Sequence, residues 1–191
     1  GYSGERTSSM VSRVKRVVSN FNKVNNDDVH YLFLLGGTND ISESDAESIS
    51  NRIISIHQWA HQKNIKTAVI TIPQMVYDGE HYAEEKITQI NDTLIKFANE
   101  NEDNCFVVDF YNEIKHNIVF DKDKAVEALS GMKVVSMTAE EETEATLKRR
   151  WINEGCKDKY WDDGIHLTPF GYSLLGAAIF RQFKAHFLDK N

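Results

Sequence analysis

Three short apolar runs, set between long amphipathic segments, do most to limit what this chain can become. They are His30-Tyr31-Leu32-Phe33-Leu34-Leu35, Lys66-Thr67-Ala68-Val69-Ile70-Thr71-Ile72 and Cys105-Phe106-Val107-Val108-Asp109-Phe110. A brief continuous apolar run, rich in β-branched and aromatic residues, reads as a strand buried on both faces. Between the runs the spacing changes to three and four. Ala46, Ile49, Ile53, Ile56 and Ala60 line one face of a helix over 45–63. Ala83, Ile87, Ile90, Leu94 and Phe97 line another, from about Tyr82 to Glu100. Met10, Val11, Val14, Val17, Val18 and Phe21 predict a helix over Ser8–Phe21, and Pro169–Leu188 closes the chain as an amphipathic helix. Strand and helix in alternation predict a parallel sheet, covered on both sides and joined by right-handed crossovers.

Residues 111–159 break that rhythm. Asp121–Leu129 reads as a short helix and Lys133–Met137 as a brief extended piece. Thr138-Ala139-Glu140-Glu141 is a capping box opening a charged helix to about Ile152. This insertion is longer than a connection needs. It suits either a rim with Trp151 facing a substrate or a solvated helix pinned by Trp151 to the body.

No linker or repeat divides the 191 residues, so one domain over 1–191, with the insertion inside it, is expected. With 41% hydrophobic and 27% charged residues, the composition is that of an ordinary globular domain. A net charge of -7, with no basic cluster beyond Lys148-Arg149-Arg150, argues against a nucleic-acid surface. No apolar run is long enough to span a bilayer. Cys105 and Cys156 read as packing residues, not as a disulfide framework. His57 and His61 lie four apart without an acidic partner at ligand-like spacing, and read as surface residues. The Asn91-Asp92-Thr93 sequon falls in a predicted helix and reads as chance.

Two stretches carry chemistry. In Asp163-Gly164-Ile165-His166 a carboxylate and an imidazole sit three residues apart, just before a helix start. Thr168 suits the N-cap, and Pro169 the first helical position, where its missing N–H costs nothing. Asp163 reaching Nδ1 of His166 would fix the tautomer and leave Nε2 free to take a proton. The second stretch is Gly36-Gly37-Thr38-Asn39-Asp40, at the carboxyl end of the first strand. Two glycines there predict a sharp turn with backbone close to something. Parallel sheets bind ligands at this edge, and the Asn39 amide could donate to a developing oxyanion. Asn39 and Asp40 equally suit an Asx turn capping the next helix. No phosphate loop, metal cluster or Gly-x-Ser-x-Gly elbow is present.

These pieces, in order, resemble the SGNH, or GDSL, hydrolase family. Gly1-Tyr2-Ser3-Gly4-Glu5-Arg6-Thr7 resembles the family's second block, Gly37-Thr38-Asn39-Asp40 its third, and Asp163-Gly164-Ile165-His166 its last. The resemblance implies a three-layer α/β/α sandwich with a flavodoxin-like parallel sheet. It implies hydrolysis of small-molecule esters without metal or cofactor. It makes His166 the general base and Asp163 its orienter. The backbone N–H of Gly4 and the side chain of Asn39 become the oxyanion donors. The family's first block, a Gly-Asp-Ser turn carrying the nucleophile, has no counterpart here. The sequence opens at Gly1 without Met or leader, so the nucleophile and first strands are expected upstream of it. This stretch alone is then close to inactive, and Tyr31–Leu35 is left as an open apolar edge unless Lys133–Met137 pairs along it. A non-enzymatic binding module is the rival reading.

Overall fold

The computed structural model describes residues 4–25, 30–77, 80–114, 160–162 and 165–188. The segments expected at 121–129, 133–137 and 138–152, along with Cys156 and Asp163, lie outside them. The chain divides into two compact units. One holds Gly1–Pro73, Glu85–Glu113 and Ala178–Asn191, and the other Gln74–Glu84 and Ile114–Ala177. The described helices are α1 (Thr7–Asn25), α2 (Ala46–His61), α3 (Glu84–Glu100), α4 (Phe110–Glu113) and α5 (Pro169–Phe183). The strands are β1 (Tyr31–Leu34), β2 (Lys66–Ile70), β3 (Val76–Tyr77), β4 (Glu80–His81) and β5 (Cys105–Val108). Among the described residues no helix is long and apolar enough to cross a membrane.

The first unit is built on the three predicted strands, which form a parallel sheet in the order β1-β2-β5. Because side chains alternate across a strand, the register makes two rows. Leu32, Thr67 and Cys105 align on one face, and Phe33, Ala68 and Phe106 on the other. Helices α2 and α3 cover the first face. There His61 Nε2 and Thr67 Oγ1 are 2.9 Å apart, and the Thr67 hydroxyl donates to Cys105 Sγ at 3.2 Å. Burial pushes the Cys105 thiol pKa up. Phe183 and Phe187, from α5 and the π-helical turn Lys184–Leu188 after it, pack edge-on against Phe33 and Phe106 on the second face. Lys66 Nζ lies 4.5 Å above the Phe187 ring. β1 has β2 as its neighbour among the described residues, and Tyr31 and Phe33 remain 39% and 40% exposed.

The Gly36-Gly37 turn has the close surroundings its sequence predicted. A Cβ at Gly36 would lie 2.7 Å from Met10 Cε of α1. Gly37 has φ +104°, and a Cβ there would meet Ile72 Cδ1 at 2.9 Å and Ile49 Cγ2 at 3.0 Å. Only a residue without a side chain lets the chain leave β1 through that gap.

Several ends differ from the sequence expectation, each for a local reason. β2 stops at Ile70, and beyond it Asn91 acts as a surrogate strand: its Oδ1 accepts from Ile72 N at 2.8 Å and its Nδ2 donates to Ile72 O at 2.9 Å. Asn91 is therefore the most buried residue of its sequon and has a structural task. α3 begins at Glu84 because Ala83 sits in the left-handed region, with φ +52°. β5 ends at Val108, where Asp109 caps α4 by accepting the N–H of Asn112. In the second unit, β3 and β4 pair as a short antiparallel ribbon.

His57 is a correction. It is not a surface residue but fully buried, and among the described residues neither ring nitrogen is hydrogen-bonded. Position 57 lies one helical turn after Ile53, on the stripe that faces the core. Its ring rests 5.8 Å from that of Phe97. His61 is half-buried and stacks on the same Phe97 at 6.0 Å. Burial, with the nearby His61, pushes the His57 pKa down from 6.5 to about 3. Between those values only the unfolded chain holds the proton. Stability is therefore complete above pH 6.5 and falls as pH drops toward 3, with one proton's slope of about 1.4 kcal/mol per pH unit. Denaturant unfolding across that range, compared with His57→Leu, should show the variant lacking this component. Equal slopes in the two proteins would contradict a buried neutral ring.

Candidate active site

Gly4 to Thr7 form a tight entrance to α1, and nearly every residue of it is tied down. Gly4 has φ +70°, which glycine adopts without strain. Glu5 is held by the guanidinium of Arg13 one face along α1, and Arg6 by Glu43. The Arg6 carbonyl accepts the first helical bond, from Met10 N at 3.0 Å. An arginine at that cap position cannot accept from the helix's unpaired N–H groups, and the first turn of α1 has no acidic residue. The missing acceptor comes from 33 residues away. Asp40 Oδ2 accepts from Thr7 N at 2.9 Å, and Asp40 Oδ1 from the Thr7 hydroxyl at 2.8 Å. Arg52 Nη1 lies 3.5 Å from the same Oδ1. Asp40 is thus a helix cap, but for the helix before it. The next helix, α2, is capped by Asp45, which accepts from Ser48 N at 2.7 Å and whose pKa those bonds lower.

Asn39 sits beside Asp40 in the 3-10 turn Thr38–Asp40, at the carboxyl end of β1. Its side-chain Nδ2 donates to the Glu5 carbonyl at 2.9 Å. The two predicted oxyanion donors are therefore brought together: Gly4 precedes the very residue that Asn39 holds. Both are exposed. Among the described residues nothing accepts the Gly4 N–H or the second amide hydrogen of Asn39.

His166 belongs to the second unit and is exposed. Its loop is closed twice by backbone bonds, Asp162 N to His166 O and Thr168 N to Tyr160 O, both 2.8 Å. Trp161 bridges to Leu167 and is fully buried, which anchors the loop from within. Thr168 is the predicted N-cap: its Oγ1 accepts from Gly171 N at 3.1 Å, with Pro169 as the first residue of α5. The aromatic ring of Phe170 packs 5.6 Å from Tyr160. Asp163, the expected orienter, lies outside the described residues.

The chain matches the family model for GDSL-like lipase/acylhydrolase over residues 1–179. It belongs to that family. Members of the GDSL family are ester hydrolases, and this chain shares their α/β fold. It superposes on a GDSL-like lipase of Bacteroides thetaiotaomicron VPI-5482 with a TM-score of 0.62 at 17% identity, covering 96% of this chain and 73% of the other. A Bacteroides fragilis NCTC 9343 protein classed as an acylhydrolase gives 0.63 at 18% identity, with 95% and 71% covered. A GDSL-like lipase structure from Parabacteroides merdae ATCC 43184 gives 0.52 at 14% identity, with 94% and 69% covered. No curated protein matches the sequence.

Sequence reasoning assigned Asp40 to the following helix, and passed over Thr7 and the Glu5–Arg13 pair. One signal was available: a helix whose first turn lacks an acid and whose cap position is arginine needs a cap from elsewhere. The start of α5 offers a direct test of how tightly the His166 loop is built. A Cβ on Gly171 would lie 2.4 Å from the Tyr160 carbonyl oxygen, which is backbone and cannot swing aside. Gly171→Ala should destabilise the chain by about 1–3 kcal/mol and shift the His166 ring signals in NMR spectra. Unchanged spectra and stability would show that the loop is not held against α5.

Proposed function

We propose that the chain contributes the base and the oxyanion hole of a serine ester hydrolase acting through an acyl-enzyme. His166 Nε2 takes the proton of a serine hydroxyl as that oxygen attacks the acyl carbonyl. Asp163 accepts from Nδ1–H, holding the tautomer and steadying the imidazolium. The negative charge that develops on the carbonyl oxygen is met by the Gly4 N–H and the Asn39 amide. His166 returns its proton to the leaving alcohol, and water, activated in the same way, then cleaves the acyl-enzyme. The nucleophile is the serine of a Gly-Asp-Ser segment that the 191 residues do not contain. The substrate is a small-molecule ester.

The observation that carries this reading is the pair of donors. Two exposed groups, Gly4 and Asn39, sit on turns joined through Glu5, and each keeps one N–H without an acceptor among the described residues. Donors left open at the carboxyl edge of a parallel sheet are suited to a charge that appears only during reaction.

The test uses a competent form carrying the Gly-Asp-Ser segment, with p-nitrophenyl acetate as substrate. Asn39→Ala should lower kcat by about 10²–10³-fold. His166→Ala should cost more, and the 191-residue chain alone should stay near the uncatalysed rate. Hydrolysis by that chain alone, abolished by His166→Ala, would place the nucleophile within it and contradict the proposal.

A further inference from the structure

We infer that Asp40 is a positioning residue for this reaction: through Thr7, its carboxylate sets the spacing between the Gly4 N–H and the Asn39 amide. The inference rests on the proposed oxyanion role of those two groups.

Asp40 is 1% exposed, and a buried carboxylate is tolerated only when its oxygens are engaged. Here Oδ2 takes the Thr7 N–H, and Oδ1 takes the Thr7 hydroxyl with Arg52 beside it. The backbone of the same residue is equally committed. Its N–H donates to Gly37 O at 3.0 Å, and its carbonyl accepts from Glu43 N and Ser44 N at 3.0 and 2.9 Å. Residue 40 therefore cannot shift without carrying the Asn39 turn with it. Thr7 in turn is fully buried and lies three residues after Gly4, at the end of the Gly4 turn. A second tie, Asn39 Nδ2 to Glu5 O, runs parallel to the first. Two links between the same two turns leave little freedom in how far apart their donors sit.

A simple helix cap would need only one of these bonds. Using both carboxylate oxygens on Thr7 fixes direction as well as distance. That matters here because an oxyanion donor acts only when aimed at where the charge develops, and a misplacement of about 1 Å can cost about 10²-fold in rate.

Asp40→Asn keeps the shape but removes the charge and one acceptor. In the competent enzyme it should lower kcat for p-nitrophenyl acetate by about 10–10²-fold with KM within about twofold. Thr7→Val, which removes only the hydroxyl, should give a smaller loss of the same kind. Thr7→Ser, which restores it, should return kcat to that of the parent. In the 191-residue chain, 15N NMR should show the Gly4 amide and the Asn39 side-chain NH₂ signals moving together in Asp40→Asn and Thr7→Val, and staying in place in Thr7→Ser. A folded Asp40→Asn with kcat intact, or with those two signals unmoved, would overturn the inference and leave Asp40 as a cap. If Asp40→Asn does not fold, Thr7→Val decides by the same two readouts. A competent form that is inactive with its natural residues would instead overturn the hydrolase reading, while the NMR comparison still decides whether residue 40 couples the two turns.

Discussion

The contact between the Asp40 carboxylate and Thr7 is the constraint on which the arrangement at the sheet's edge depends. Helix α1 starts with an arginine at its cap and no acid in its first turn, so by itself it leaves its positive end unanswered. The turn after β1 supplies the answer. That exchange joins the start of the described chain to the carboxyl edge of the sheet and fixes which backbone lies next to Asn39. Gly36 and Gly37 make the exchange possible. One lets Met10 of α1 come close, and the other turns the chain against Ile49 and Ile72. A side chain at Gly37 would collide with Ile49 and Ile72.

A similar logic of substitute partners runs through the first unit. Asn91 stands in for a strand beside Ile72, where β2 has already ended. Asp40 stands in for the local cap of α1. Both are buried polar side chains serving backbone groups that secondary structure leaves unpaired. His57 is the exception. It occupies a core position with no partner for either ring nitrogen among the described residues, stays neutral by burial, and makes the stability of the core depend on pH.

Local signals in the sequence were read correctly where one element alone decides the outcome. The three strands appear where apolar runs required them, and β2 and β5 are buried along most of their length. The cap at Thr168 and Pro169, and the close turn at Gly36-Gly37, follow from backbone rules that act within a few residues. What was missed depends on pairs distant in sequence. Nothing in the periodicity tells Asp40 to reach Thr7, so its capping chemistry was assigned to the following helix. His57 was misjudged because its residue type was weighed above its place on the stripe of Ile49, Ile53 and Ile56. β3 and β4 have two residues each, too few for any alternation to register. Gly4, Asn39 and His166 were singled out as site residues, and the first two share one constellation through Glu5.

The central claim is that Gly4 and Asn39 form a pre-assembled receptor for negative charge on oxygen. It is tested most directly by the crystal structure of a competent form inactivated with diethyl p-nitrophenyl phosphate. That reagent leaves a tetrahedral phosphoryl group on the serine, with an oxygen standing where the oxyanion would be. The account predicts that oxygen about 2.7–3.1 Å from both the Gly4 nitrogen and Asn39 Nδ2, with the bond from Asn39 to Glu5 O and the Asp40 contacts to Thr7 unchanged. An oxygen held by other donors, or an Asn39 that had to leave Glu5 to reach it, would contradict the account.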